Sequence, residues 1–220
     1  MGLGDEAKNV AIEHVKQKAS RDILTGIKEW RSNKISTARR RWIFELIQNA
    51  MDTAKARGKG NLDIEIYYDD KSIKFKHNGG HFTLDELSAV IYGGSTKPYA
   101  PESEYIGRFG TGFLVTHIVN RKVKIQGFAC EDESQIYEFE MEVDRQSDDE
   151  KEISDNIEKC FQQLNSAKIS GISNSEMYTE FEYKIEDDLG KEAVEVGIKE
   201  LEENIPFILA FNGIISVIKI

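Results

Sequence analysis

The sequence predicts an α+β protein built as a two-layer α/β sandwich, in which helices cover one face of a mixed, mostly antiparallel sheet. Apolar residues recur at helical spacing in two long segments at the start of the chain. The later segments mostly alternate apolar and polar residues, and they come in hairpin-like pairs. A doubly wound parallel fold requires strands and helices in alternation, so the order of the segments favours the sandwich.

Each element is predicted from its own periodicity. Helical spacing is found in residues 7–30 and 37–57, in a charged segment with Ile153, Ile157, Cys160, Phe161 and Leu164 on one face, and in a segment with Val194, Ile198, Leu201 and Ile205. Alternation predicts strands at residues 62–68, 72–76, 122–128, 136–143, 177–185 and 213–220. Shorter helices are expected from Leu84 onward and over residues 113–119.

Residues 1–220 are interpreted as one domain. The chain has 220 residues, 40% of them apolar, and contains neither repeats nor a low-complexity linker. Because the last predicted strand runs to the final residue, we expect the domain to belong to a longer protein. Cys130 and Cys160 lack metal-ligand spacing, the start lacks a signal pattern, and no apolar run nears the ~20 residues of a membrane span. These features predict a cytoplasmic protein with reduced thiols and no membrane partner.

The net charge of −10 is unevenly distributed. Residues 131–160 hold 13 acidic and 3 basic residues, and this stretch is either a partner surface or, as we favour, a solvated face. Residues 1–60 hold 13 basic and 7 acidic residues, including the run Arg39-Arg40-Arg41. A solvated or phosphate-facing helix end is the favoured interpretation of this run. The acidic balance of the whole chain argues against direct nucleic-acid binding by this domain.

The first chemical motif lies on the second predicted helix. Glu45, Asn49 and Asp52 stand at positions i, i+4 and i+7, so they share one stripe beside the apolar face. A carboxylate, a neutral oxygen ligand and a second carboxylate are able to hold a magnesium ion through Asn49 and polarise a water through Glu45. An ordinary amphipathic helix with a polar rim is the alternative, and the motif alone does not exclude it.

The second motif is a strand that runs into a glycine turn, from Phe75 to Phe82. Gly79 and Gly80 allow the backbone to approach a flat ligand closely or to adopt a positive φ, although a plain turn has the same composition. The glycines also break the helical geometry that would let His77 and His81 converge on a zinc ion.

The third motif is the glycine-rich segment 92–113. Five glycines and two of the three prolines of the chain fall within it, and a short helix follows. Glycines that open a helix leave backbone N–H groups free for an anion, so the segment is typical of a phosphate cradle. It has neither the Gly-Lys-Ser/Thr of a Walker loop nor the preceding strand of a dinucleotide site, and a glycine-rich loop without a ligand remains the alternative.

In this order and at these separations, the three motifs resemble the GHKL ATPase superfamily, which includes gyrase, mismatch-repair ATPases, histidine kinases and the large heat-shock chaperones. Residues 45–52 are similar to its N box, residues 77–80 to its first glycine box and residues 107–113 to its second glycine box. Residues 92–113 correspond to its ATP lid. The resemblance covers residues 36–128 directly and implies the Bergerat fold.

The resemblance also implies roles for individual residues. Asn49 would ligate Mg²⁺, Glu45 would activate the attacking water and Asp52 would support the N box. The phosphates would be wrapped by the backbone of Gly107, Arg108, Phe109, Gly110, Thr111, Gly112 and Phe113, with Lys97 neutralising their charge. The remaining nucleotide-binding residues would be His77, Asn78, Gly79, Phe82 and Thr179, the last placed near the adenine.

One departure from the family pattern concerns the base. Family members usually carry an aspartate where this chain has His77, and that aspartate accepts a hydrogen bond from the adenine amino group. A neutral imidazole is able to accept through one nitrogen, and so is the Asn78 carbonyl. The His-Asn-Gly form, with the helix segment 40–50, is similar to the divergent sacsin-like branch, which includes bacterial defence proteins.

These features predict a magnesium-dependent domain that binds ATP and ADP and hydrolyses ATP, slowly in isolation, with lid closure driving attached modules or partner proteins. The alternative is a nucleotide sensor or protein-interaction module that keeps the fold without catalysis. The resemblance to the family also implies a possible nucleotide-dependent homodimer, joined through the helix at residues 5–29.

Overall fold

A computed structural model describes residues 2–94, 112–131, 135–172 and 176–220. Its helices are α1 (Leu3–Lys28), α2 (Ile35–Ala56), α3 (Leu84–Ile91), α4 (Glu150–Leu164) and α5 (Asp188–Phe211), with a π-helical turn at Glu29–Asn33 and a 3₁₀ helix at Phe113–Ile118. Its strands are β1 (Leu62–Tyr68), β2 (Ser72–His77), β3 (Lys122–Ala129), β4 (Ile136–Asp144), β5 (Lys168–Ser170), β6 (Thr179–Lys184) and β7 (Ile215–Lys219).

The strands form one seven-stranded sheet in the order β5-β4-β3-β6-β2-β1-β7. All neighbouring strands are antiparallel except β1 and β7, which are parallel. The mixed, mostly antiparallel sheet and the helices packed against it confirm the two-layer sandwich predicted from the sequence. At the centre, His77 of β2 lies opposite Ile64 of β1 on one side and Thr179 of β6 on the other.

The two faces of the sheet differ in chemistry. Every second residue of the central strands is buried, as Ile73 and Phe75 are in β2, and these side chains form the core with the helices. The opposite face carries ion pairs between strands. Lys74 lies 3.5 Å from both Glu180 and Glu182. Each such pair is worth at most ~1 kcal/mol, so the apolar face provides most of the stability.

Helix α2 is the central helix of the covering layer. Trp42 is completely buried, and its indole N–H donates to the Ala193 carbonyl of α5 over 2.8 Å. The indole ring lies so close to Gly197 that a Cβ there would collide with it. These contacts of Trp42 therefore hold α2 against α5.

The structure differs from the sequence predictions in three elements. Strand β5 was not predicted, because three residues are too few to show alternation. The helix expected over residues 113–119 is a 3₁₀ helix of 6 residues, which presents fewer free N–H groups than a regular helix terminus. Helix α5 continues through Pro206 to Phe211. Within the described ranges, none of these helices has the length and apolar character needed to cross a membrane.

Candidate functional site

Glu45 lies where α2 meets the start of the 3₁₀ helix. One of its oxygens, Oε1, accepts a hydrogen bond from Arg41 Nε over 2.6 Å, one helical turn earlier. The other oxygen, Oε2, lies directly against Gly112, where any Cβ would collide with it. The carboxylate is largely shielded from solvent, with 16% of its side chain exposed. Arg41 therefore fixes one oxygen and leaves the other facing the end of the glycine-rich segment.

Asn49 and Asp52 follow Glu45 along α2, and both carry an unpaired polar atom. Asn49 is 3% exposed, and its Nδ2 has no hydrogen-bond partner in the described part of the chain. Asp52 Oδ1 accepts from Gln48 over 3.0 Å, whereas its Oδ2 is buried without a partner. Burial raises the pKa of the Asp52 carboxyl. Buried polar atoms without partners are costly: the Asn49 Nδ2 donor lacks an acceptor, and the Asp52 Oδ2 acceptor lacks a donor or cation.

The glycine turn after β2 packs against the same helix. A Cβ at Gly79 would lie 2.9 Å from the Ala50 carbonyl oxygen, so only glycine allows this close approach. Gly80 has a φ of 121°, which favours glycine as well. Asn78 ties the turn to β1, because its Oδ1 accepts from the Asp63 N–H over 2.8 Å. The predicted first glycine box is thus held beside the Asn49 stripe of α2.

His77 is the buried residue at the centre of this turn. It is 3% exposed, and its ring lies 6.4 Å from that of Phe181 in a stacked arrangement. Its Nδ1 accepts a hydrogen bond from the Gly79 N–H over 3.1 Å. Burial lowers the pKa of His77 to about 3, so the imidazole is neutral near pH 7. Nδ1, the acceptor nitrogen of the neutral ring, is therefore already bonded to the Gly79 N–H.

The other candidate residues in the described ranges lie around this site or in the core. Thr179 is 1% exposed and pairs with His77 across the sheet, and its hydroxyl donates weakly to the Gly80 carbonyl over 3.4 Å. Phe82 packs its ring 5.8 Å from that of Phe139, beside β3. Phe113 is buried with its ring 5.7 Å from that of Phe181. The two phenylalanines therefore shape the walls of the region by core packing.

Part of the predicted site lies outside the described residues. This applies to the lid lysine and most of the second glycine box, namely Lys97, Gly107, Arg108, Phe109, Gly110 and Thr111. Of the predicted lid, residues 92–113, only residues 92–94 and 112–113 are described.

The arginine run at residues 39–41 is engaged by carboxylates. Arg39 pairs with Glu192 and Arg40 pairs with Glu200, both on α5. Arg41 pairs with Glu45. The run therefore joins α2 to α5 and orients one site residue, a role that its sequence pattern alone did not indicate.

A buried arginine lies near the described ends of the glycine-rich segment, and sequence reasoning did not identify it. Arg145 is 2% exposed and donates to the Val90 and Ile91 carbonyls at the end of α3, over 2.6 and 3.3 Å. It also donates to His117 Nε2 over 2.8 Å. Burial lowers the pKa of Arg145 to about 10, so it stays charged near neutral pH. Arg145 thus connects the end of α3 to the 3₁₀ helix.

The donor set suits a magnesium ion that arrives with phosphates rather than a protein-enclosed metal. Within the described ranges, no three histidine, cysteine or carboxylate side chains converge as a metal site. Magnesium commonly uses one or two protein oxygens and takes its other ligands from water and phosphate. Asn49 and Asp52 each carry a side-chain oxygen on this stripe, and the Oδ2 atom of Asp52 is unpaired. These residues therefore fit the ion.

Comparison of the chain with profiles of known protein families and with curated protein sequences finds no match.

Proposed function

We propose that this domain binds a magnesium–nucleoside triphosphate and hydrolyses it, with ATP as the substrate implied by the GHKL resemblance. One observation carries the proposal: the Glu45 carboxylate is held by Arg41 with its free oxygen against Gly112. A shielded acid at the end of a glycine-rich segment is placed to accept a proton from a water that attacks a bound phosphate. The unpaired atoms of Asn49 and Asp52 on the same stripe add support.

Arg41 and Glu45 have different roles in this proposal. Arg41 orients the carboxylate through Oε1, so that the lone pairs of Oε2 point toward the Gly112 end. Glu45 accepts the proton of the attacking water there. Asn49 would hold the Mg²⁺, which would neutralise charge on the phosphate oxygens. The absence of a side chain at Gly112 leaves room for the Glu45 carboxylate.

The same proposal includes coupling to the segment that precedes Gly112. Arg145 connects α3 with the 3₁₀ helix, and these elements flank residues 95–111. Binding of nucleotide beside Gly112 would therefore be transmitted to the core through Arg145. Attached modules, partner proteins or a second copy of the chain would be the receivers of this signal.

A nucleotide sensor without catalysis is the second candidate, and the Arg41 contact is the observation that favours it. An arginine that occupies one oxygen of Glu45 also competes with water for that carboxylate. Both functions require nucleotide binding, but only the enzyme function requires ATP hydrolysis, so one experiment separates them.

The test compares phosphate release from ATP by the wild-type chain, E45Q and the matched control E29Q. Glu29 is an exposed glutamate paired with Lys34, away from the Gly112 contact. We expect slow hydrolysis by the wild type and by E29Q, and a rate at least ~100-fold lower for E45Q with ATP affinity retained. Equal rates of phosphate release by all three proteins, with nucleotide bound, would contradict the enzyme function and favour the sensor function.

A further inference from the structure

The tautomer of His77 is fixed by its own backbone. The Gly79 N–H is able only to donate, so Nδ1 must present a lone pair to it over 3.1 Å. The ring is neutral near pH 7, because burial disfavours its charged form. Its single proton is therefore on Nε2. His77 offers a hydrogen-bond donor to a ligand, and it has no second lone pair with which to accept.

Nε2 has no hydrogen-bond partner in the described part of the chain, although the side chain is only 3% exposed. The ring cannot turn to reverse its polarity without breaking the Gly79 bond, and its packing against Phe75 and Phe181 restricts it further. A ligand acceptor would give this donor a hydrogen-bond partner.

The neighbouring candidate acceptor, Asn78, has one structural hydrogen bond. Asn78 Oδ1 accepts from the Asp63 backbone N–H over 2.8 Å and thereby holds the turn to β1. His77 thus has no free lone pair for an exocyclic amino group, because the Gly79 N–H uses the lone pair of Nδ1. The contacts therefore do not support the expectation that His77 accepts from the adenine amino group, and the expectation for Asn78 stays a prediction.

The glycine turn that follows His77 contacts α2 away from Glu45. Gly112 contacts α2 at Glu45, whereas Gly79 contacts it at Ala50, five residues later. At about 1.5 Å rise per residue, these contacts are separated by about 7–8 Å along the helix. A nucleotide with its terminal phosphates near Glu45 would extend its base toward the Gly79 turn and His77.

On this basis, and resting on the proposed function, we propose that His77 makes the site prefer a 6-oxopurine over a 6-aminopurine nucleoside triphosphate. The donor at Nε2 complements an oxygen at position 6, as in hypoxanthine or guanine. It opposes the amino group of adenine, because two donors face one another there. A site built to pair a polar group discriminates against an analogue that leaves it unpaired.

The test uses ATP and ITP, whose bases differ at position 6 and in the proton on N1. Calorimetric titration with magnesium is done on the wild type and on H77D, in which a carboxylate replaces the donor with an acceptor. We expect the wild type to bind ITP at least ~10-fold more tightly than ATP, and H77D to reverse this preference. H77Q, whose amide offers both a donor and an acceptor, should bind the two nucleotides within about threefold.

Nitrogen NMR of the folded chain provides a second measurement that needs no nucleotide and no variant. The His77 ring should show a proton on Nε2 and none on Nδ1. A proton on Nδ1 would overturn the proposal, and so would tighter binding of ATP than ITP by the wild type.

The outcomes separate this inference from the proposed function. If neither triphosphate binds a folded wild-type chain, the proposed function fails. If both bind with magnesium and ATP is preferred, the proposed function stands and only the assignment of base selectivity is wrong.

Discussion

Replacing Arg145 with methionine should destabilise the fold strongly, although Arg145 is outside the proposed hydrolysis chemistry. The guanidinium is 2% exposed and donates to His117 Nε2 and to the Val90 and Ile91 carbonyls. Methionine fills much of the same volume but donates no hydrogen bond. R145M therefore leaves buried acceptors without their donor and detaches α3 from the 3₁₀ helix.

The expected magnitude follows from those acceptors. His117 Nε2 and the Ile91 carbonyl each lose their donor, at about 1–3 kcal/mol per buried acceptor. Relief from burying a charged guanidinium offsets part of this loss, so a net destabilisation of about 2–4 kcal/mol is expected. For a chain of this size, each kcal/mol lowers Tm by about 2–4 °C, so Tm should fall by at least ~4 °C.

The assay is thermal and urea unfolding followed by circular dichroism, with R145K and R40M beside R145M. Lysine keeps the charge but donates to fewer of these acceptors, so the Tm of R145K should lie between those of the wild type and R145M. Arg40 pairs with Glu200 at the surface with 68% of its side chain exposed, so R40M should change stability by less than ~1 kcal/mol. A Tm for R145M within 1 °C of the wild type would refute this role of Arg145.

Three further predictions concern the site. Between pH 6.5 and 4.5, the unfolded state binds a proton at His77 that the folded state, in which the pKa of His77 is about 3, does not bind. This difference lowers the free energy of unfolding of the wild type by about 1.4 kcal/mol for each pH unit of acidification, and H77Q should remove that contribution. Urea titrations at several pH values check this. G79A should destabilise the fold by about 1–3 kcal/mol by forcing a Cβ against the α2 backbone, whereas G60A, which has open space, should be nearly neutral in the same unfolding assay. G112A should displace the Glu45 carboxylate and lower ATP turnover at least ~10-fold, with nucleotide affinity measured separately.

The sequence was sufficient to predict most of the fold, because its periodicities are strong and local. Strand β1 was predicted with the bounds that the structure has, and β2 to within one residue. Strand β5 was missed because its pairing with β4 is a tertiary contact that leaves no pattern in three residues. The same reason explains why the parallel pairing of β7 with β1 could not be predicted from β7 alone.

The candidate site was predictable in its residue types and less so in its hydrogen bonds. The spacing of Glu45 and Asn49 indicated a shared helix face, since helical geometry is set by sequence separation. The contact of Glu45 with Gly112 and the use of His77 Nδ1 by Gly79 depend on how separate backbone segments pack. Arg145 gave no sequence signal, because a single arginine at the end of a strand is normally exposed.

The proposed site is tested most directly by calorimetric titration of the folded chain with ATP, with and without magnesium, for the wild type, N49A and the control N61A. Asn61 is exposed and precedes β1. We expect magnesium-dependent binding by the wild type and N61A, and its loss in N49A. Absence of binding of both ATP and ITP by the folded wild type, or equal magnesium-dependent binding by N49A, would contradict a magnesium–triphosphate site on α2.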